Sequence, residues 1–291
     1  WIRLLYIIIF VIVLGELFFN NYSFFRIPTT SMEPTLFPGD RVLVTNFTTG
    51  DIVHNDVIVF NRPFLKEPFD SIVFCSDQYL VKRCIALPND TFEIKGGFFR
   101  VHGYKGLLGN MKQQKLVSKG IDTVMYNNNQ ISVFQAENKF WSVREFGPLW
   151  VPAKNMTVVI DSASWIVYKA LIEWEQKKKM HLKLNKVYLG DSLINAYCFM
   201  EDYYFVAGDN LPVSVDSRYW GVLPRSFIVG KVAFVWFTRR KETKNIEWKC
   251  EVYVRYCKMK INVCAKFNCS IVWLSVLSHL LIYNGIFETI I

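Results

Sequence analysis

Four histidines among 291 residues, none of them in an H-E-x-x-H arrangement, give no support to a zinc peptidase of that kind. The 15 glycines form no Walker or dinucleotide-binding pattern, and no G-x-S-x-G elbow occurs. The seven cysteines lack C-x-x-C spacing, and no histidine lies close enough to complete a usual zinc set. Their odd number leaves at least one thiol unpaired unless it bridges to another chain. Metal, phosphate-loop and elbow-serine chemistry are therefore poorly supplied.

What is abundant is apolar residues, at 52%, with much of the excess at the two ends. The 24 Phe accompany many Ile, Asn and Lys, so aromatic stripes reflect composition as readily as function. Residues Trp1–Phe19 are apolar apart from Arg3, Gly15 and Glu16, close to the shortest helix that crosses a bilayer. Asn20-Asn21-Tyr22-Ser23 offers no small-x-small cleavage site, which favours an uncleaved transmembrane anchor over residues 1–20. Residues Ile271–Ile291 read as a second membrane-associated or interfacial segment, or as a buried C-terminal helix.

The net charge of +9 is uneven, since Thr238–Lys260 holds eight Lys/Arg against three Glu. No nucleic-acid motif accompanies that block, and beside an apolar end membrane lipid is the better partner.

Between the ends, short β runs alternate with turn punctuation. Arg41–Thr45, Asp56–Phe60, Gln78–Leu87, Thr157–Ile160, Tyr203–Ala207 and Ser226–Phe237 read as strands, with turns at Pro38-Gly39-Asp40 and Pro88-Asn89-Asp90. One helix is expected over Ser162–Lys179, with Ser162 as its cap. The expected fold is mainly β. An antiparallel core spans 21–95 and 203–240, with an inserted second domain at 96–202 and a basic, apolar tail at 241–291.

Lys82 lies inside an apolar strand, sharing a face with Leu80, Cys84 and Ala86, while Arg83 points the other way. A lysine so placed can simply snorkel to the surface. If desolvated, its pKa falls and the neutral amine can take a proton from a serine hydroxyl. Cys84 shares that face, but only the same lysine could serve as its base, so it reads as a small core residue.

Three segments resolve the choice when taken together. They are Ser31-Met32-Glu33-Pro34-Thr35-Leu36, then Lys82-Arg83 leading to Leu87-Pro88-Asn89-Asp90, then Gly208-Asp209-Asn210 through Ser214-Val215-Asp216-Ser217-Arg218-Tyr219-Trp220-Gly221. In order and separation they resemble the boxes of bacterial type I signal peptidases, over about 24–90 and 203–237. The resemblance implies Ser31 as nucleophile and Lys82 as general base. It also implies an oxyanion hole from the Ser31 N–H and the Thr29 hydroxyl, and Ser214 positioning the lysine. Asp216 and Arg218 become a supporting ion pair. Ile27, Met32, Leu36 and Val81 become the walls of pockets for small side chains at the first and third residues before the cut. No metal or cofactor is implied.

The implied substrates are signal-peptide-bearing pre-proteins, and the implied location is the inner (plasma) membrane with the catalytic part on its outer face. Ser31 follows Phe19 by twelve residues, about 40 Å of extended chain, which keeps it near that surface. Two departures stand out: Leu211 replaces the family's usual arginine, and Asn89 replaces the turn glycine, a position where Asn tolerates the left-handed conformation. The rival reading is a catalytically inactive, membrane-anchored binding module, whose mark would be loss of Ser31, Lys82 or Ser214. All three are present.

Overall fold

A computed structural model describes residues 1–46, 51–66, 71–120, 141–239, 246–254, 257–260 and 288–289. The expected segment at 271–291 lies almost wholly outside the described residues, as do Tyr126–Asn129. In chain order the first elements are α1 (Ile2–Asn21), β1 (Tyr22–Arg26), β2 (Asp40–Asn46), β3 (Val57–Lys66) and β4 (Ser71–Ala86). Next come β5 (Thr91–Lys95), β6 (Phe98–Val101), α2 (Met111–Ser118), β7 (Phe146–Trp150), β8 (Thr157–Val159) and α3 (Ser162–Gln176). Then follow β9 (Met180–Lys183), β10 (Lys186–Leu189), β11 (Ser192–Leu193), β12 (Ala196–Cys198) and β13 (Tyr203–Ala207). The last are α4 (Ser217–Trp220), β14 (Leu223–Pro224), β15 (Ile228–Arg239), β16 (Ile246–Val254), β17 (Cys257–Lys260) and β18 (Glu288–Thr289). The architecture is mainly antiparallel β.

The chain divides into two compact units. One takes Trp1–Thr29, Thr35–Asp51 and the residues from Val229 onward. In it β2 lies between β1 and β15, β16 follows on the far side of β15, and all these pairings are antiparallel. The two-residue β18 pairs parallel to β1. The Pro38-Gly39-Asp40 turn forms as expected. Gly39 takes φ 94, which favours glycine, and the Asp40 side chain accepts from the Phe37 N–H at 2.8 Å. Asp40 also bonds the Thr238 hydroxyl, which ties the turn to β15. In α1, Leu5, Tyr6, Ile7, Ile9, Phe10, Ile12 and Val13 are exposed. Among the described residues no helix is long and apolar enough to cross a membrane, and several α1 side chains fall outside that description.

The other unit comprises Thr30–Pro34 and Ile52–Ile228. Its main sheet runs β3, β4, β13, β14, all antiparallel. The β-branched run Val57-Ile58-Val59 with Phe60 suits a strand covered on both faces, and all four are buried. Residues from β4 to β13 share one core: Phe92 stacks on Phe205 at 4.1 Å, and Phe99 and Phe146 pack on Phe92. Gln114 of α2 is wholly buried yet satisfied, accepting from Phe99 N at 2.9 Å and donating to Leu108 O at 2.5 Å.

Three local expectations need correction. Asp161, not Ser162, caps α3: its Oδ1 accepts from Ser164 N at 2.7 Å, while Ser164 Oγ accepts from Asp161 N at 2.7 Å. The helix stops at Gln176 rather than Lys179, because Lys177 turns to φ 53 and the Met180 N–H bonds buried Glu173 at 2.7 Å. Residues Arg225–Phe227 form a 3₁₀ turn, so the strand expected from Ser226 begins at Ile228. Asn89 does adopt φ 70 and holds its turn with an Oδ1 bond from Trp150 Nε1 at 3.1 Å.

Candidate active site

The site grows from β4. Lys82 stands opposite Ile58 of β3, and its neighbours Val81, Cys84, Ile85 and Ala86 are all buried. Flanked by β3 and β13, the lysine cannot snorkel to water and is only 3% exposed. The loop Thr30–Pro34 brings Ser31 to it, and Lys82 Nζ donates to Ser31 Oγ at 2.7 Å. The loop is held by the third segment: Asn210 N donates to Ser31 O at 3.0 Å, and Asn210 Nδ2 to Thr30 O at 3.1 Å.

Burial lowers the Lys82 pKa from 10.5 to about 8; Asp216 opposes the drop, Arg218 adds to it, and Asp209 opposes it. Near neutrality a useful fraction of the amine is thus unprotonated, and the same 2.7 Å pair can pass the hydroxyl proton from Oγ to Nζ. Cys84 differs in kind. Its thiol is held well above its ordinary pKa by burial first, then by Asp56 and Asp90, and its Sγ lies 3.7 Å from Ala86 O.

Asp216 and Arg218 form a closed, buried pair. Arg218 Nε meets Asp216 Oδ1 at 2.8 Å and Nη2 meets Oδ2 at 2.9 Å. Nη2 also reaches Leu211 O at 3.0 Å and Ser214 O at 3.3 Å, so the guanidinium knits the third segment together through its backbone. The Asp216 carboxylate accepts from Gly208 N at 2.9 Å as well. Burial by itself would raise its pKa, but the Arg218 charge and these bonds outweigh it and keep the carboxyl below its ordinary value. Leu211 is a buried core residue here, and its carbonyl is what Arg218 uses.

Ser214 is fully buried, and its Oγ makes no hydrogen bond of normal geometry, although it lies near enough to Asp216 to help lower that carboxyl. It does not bond Lys82 in this structure. A Cβ on Gly208 would collide with Ser214 Oγ and Cβ and come within 2.6 Å of Ser31 O. Gly208 is therefore the spacer between the serine loop and Ser214.

The profile of signal peptidases, peptidase S26, matches residues 1–237. The chain belongs to that family. Signal peptidase I of Aquifex aeolicus is 30% identical over 240 residues, covering 79% of this chain and 82% of that protein. The corresponding protein of Buchnera aphidicola subsp. Baizongia pistaciae is 28% identical over 73% of this chain and 68% of its own length. That of Haemophilus influenzae is 26% identical over 77% and 65%. The chain is a serine peptidase of this type.

Among the site residues expected for a signal peptidase, Ser31, Lys82, Ser214, Asp216 and Arg218 share one compact unit, with buried Met32 and Val81. Thr29, Ile27 and Leu36 belong to the other unit, where Thr29 is exposed and Ile27 and Leu36 are fully buried. Two contributors went unassigned in the sequence reading. Gly208 is one. The other is the clamp on the reverse face of β4: Arg83 binds Asp209 with Nε–Oδ1 at 2.7 Å and Nη2–Oδ2 at 2.5 Å, and reaches Asn55 O at 2.8 Å. The alternation that turned Lys82 inward also turns Arg83 to the opposite side, and that was the available signal.

Proposed function

We propose that this chain is a membrane-anchored endopeptidase that removes N-terminal signal peptides from exported pre-proteins, with Ser31 as nucleophile and Lys82 as general base. The observation that carries the reading is the buried 2.7 Å Lys82–Ser31 pair, with the lysine's pKa drawn down to about 8. Ser31 Oγ attacks the scissile carbonyl carbon while its proton passes to Lys82 Nζ, and the resulting ammonium protonates the leaving amine. Water then enters, loses a proton to the neutral Lys82 amine and attacks the acyl carbon, and Lys82 returns that proton to Ser31 Oγ as the ester bond breaks. The Ser31 N–H and Thr29 hydroxyl serve the developing oxyanion. Ser214, whose hydroxyl makes no hydrogen bond of normal geometry among the described residues, orients the amine at no cost in charge. The Asp216–Arg218 pair supports the segment bearing it. Ile27, Met32, Leu36 and Val81 wall the pockets for small side chains.

For location, α1 acts as the anchor in the inner membrane, and the catalytic part lies on the outer face. Its 20 residues make a helix of about 30 Å, the thickness of a hydrocarbon core, and its described apolar side chains are exposed. The stretch 96–202 is read as an insertion between the two catalytic-core stretches.

Processing of a pre-protein by purified wild type, Ser31→Ala and Lys82→Ala in detergent tests the assignment. Either substitution is expected to cost about a thousandfold or more in turnover while the chain stays folded. Substantial turnover by Lys82→Ala would sink the dyad. An inactive wild type would favour the binding-module reading.

A further inference from the structure

The strands β9 and β10 meet in a two-residue turn at Leu184-Asn185, with φ 50 and φ 59. Turns of this hand strongly favour Asn or Gly at both places, since a leucine there crowds its own carbonyl. Leu184 is nevertheless in place and is 90% exposed. The residues that close the hairpin are Lys183 and Lys186, directly opposite each other, an arrangement in which like charges repel. All of His181–Lys186 is exposed, so this is a convex tip and not a groove.

Asn185 suits its place, and His181 stacks on Tyr188 across the strands at 5.4 Å, but Leu184 and the facing Lys183–Lys186 pair both work against the hairpin. Such conflicts mark places kept for another purpose. The surroundings continue the pattern. Between Lys177 and Leu193 there are five lysines and one acid, Asp191. Lys178 lies beside Gly190 at the far end of β10, and Leu182 and Leu193 are also exposed. Neither Lys178, Lys183 nor Lys186 has an ion pair among the described residues.

We propose that the Leu184 hairpin tip is a second, interfacial membrane contact that inserts its leucine among anionic phospholipid headgroups while Lys183 and Lys186 pair with the phosphates. An apolar apex with a cationic collar suits the headgroup boundary, where leucine finds acyl chain and lysine finds phosphate. An acidic peptide could add to the outer strand β9, but it would leave the exposed leucine at the apex without an apolar partner, which acyl chain supplies. The inference rests on the membrane reading for the nearness of lipid, but the tip makes its own contact and has its own lipid preference.

The test uses the full chain in nanodiscs of phosphatidylcholine, with or without phosphatidylglycerol, followed by hydrogen exchange and mass spectrometry. Capture by pure phosphatidylcholine discs reports the anchor alone. In phosphatidylglycerol discs, amides of residues 182–187 are expected to exchange roughly tenfold more slowly than in phosphatidylcholine, and the difference should vanish in high salt. Lys183→Glu with Lys186→Glu should abolish it. Leu184→Gly should weaken it without lowering the melting temperature, because glycine relieves the turn. Equal exchange in both discs from a captured chain would overturn the hairpin contact and leave the anchor standing. Protection given equally by soluble polyglutamate without discs would also overturn it, in favour of an acidic protein partner.

Discussion

Lys82 and Arg83 are neighbours on one strand, and the two faces of that strand treat a cation in opposite ways, burying Lys82 and leaving Arg83 partly exposed. On one face Lys82 meets a neutral hydroxyl at 2.7 Å, and burial drives its pKa down to about 8. On the other, Arg83 meets a carboxylate through two parallel bonds of 2.7 and 2.5 Å and a backbone carbonyl at 2.8 Å. The chemistry of the partner separates them. A carboxylate repays much of the desolvation of a guanidinium, whereas a serine repays little of that of an ammonium. One face is built for a fixed charge and the other for a charge that can leave.

The comparison breaks most visibly at Arg83. Arg83→Met leaves Asp209 buried without its counter-ion and should destabilise the fold by about 3–5 kcal/mol, measured by denaturant melts in detergent. An effect within error of zero would mean that the clamp is incidental.

Lys82→Met should do the reverse. The gap between 10.5 and about 8 corresponds to roughly 3 kcal/mol, which the folded state bears whenever the lysine is protonated. Below pH 8 that cost is fully present. Between about pH 8 and 10.5 the unfolded chain holds a proton that the folded one has shed, so wild-type stability rises with pH. The methionine variant should therefore be inactive yet more stable at pH 6–7, with an advantage that fades toward pH 10. A variant less stable than wild type at pH 6 would contradict the depressed lysine.

The smallest effect sharpens the role of Ser214. Ser214→Ala should lower turnover by about ten- to hundredfold through a misplaced amine, while the ascending limb of the pH–rate profile stays near 8. Because the hydroxyl makes no hydrogen bond of normal geometry among the described residues, melting should change little. Unchanged turnover would make Ser214 a bystander. A limb near pH 6 that disappears with one histidine would transfer the base role away from Lys82.

Strand existence was legible where pattern and punctuation agreed. Tyr203–Ala207 was read with its observed bounds, and Asn89 with its left-handed turn. Boundaries slipped where a local bond outweighed propensity. Asp161 took the cap from Ser162 because a reciprocal pair with Ser164 satisfies two N–H groups at once. Gly208 could be quoted but not explained, since its reason is a collision between segments far apart in the chain.

The residue order by itself determined the family, the mainly β class and the inward placement of Lys82, because alternation is a local property of extended chain. Only the tertiary structure decided that Lys82 is buried with its pKa drawn down to about 8, that Ser31 lies 2.7 Å from it, and that Arg83 is clamped by Asp209. Burial and hydrogen-bond distance are sums over segments that meet only on folding. The sequence names the groups, and the packed strands set their charge.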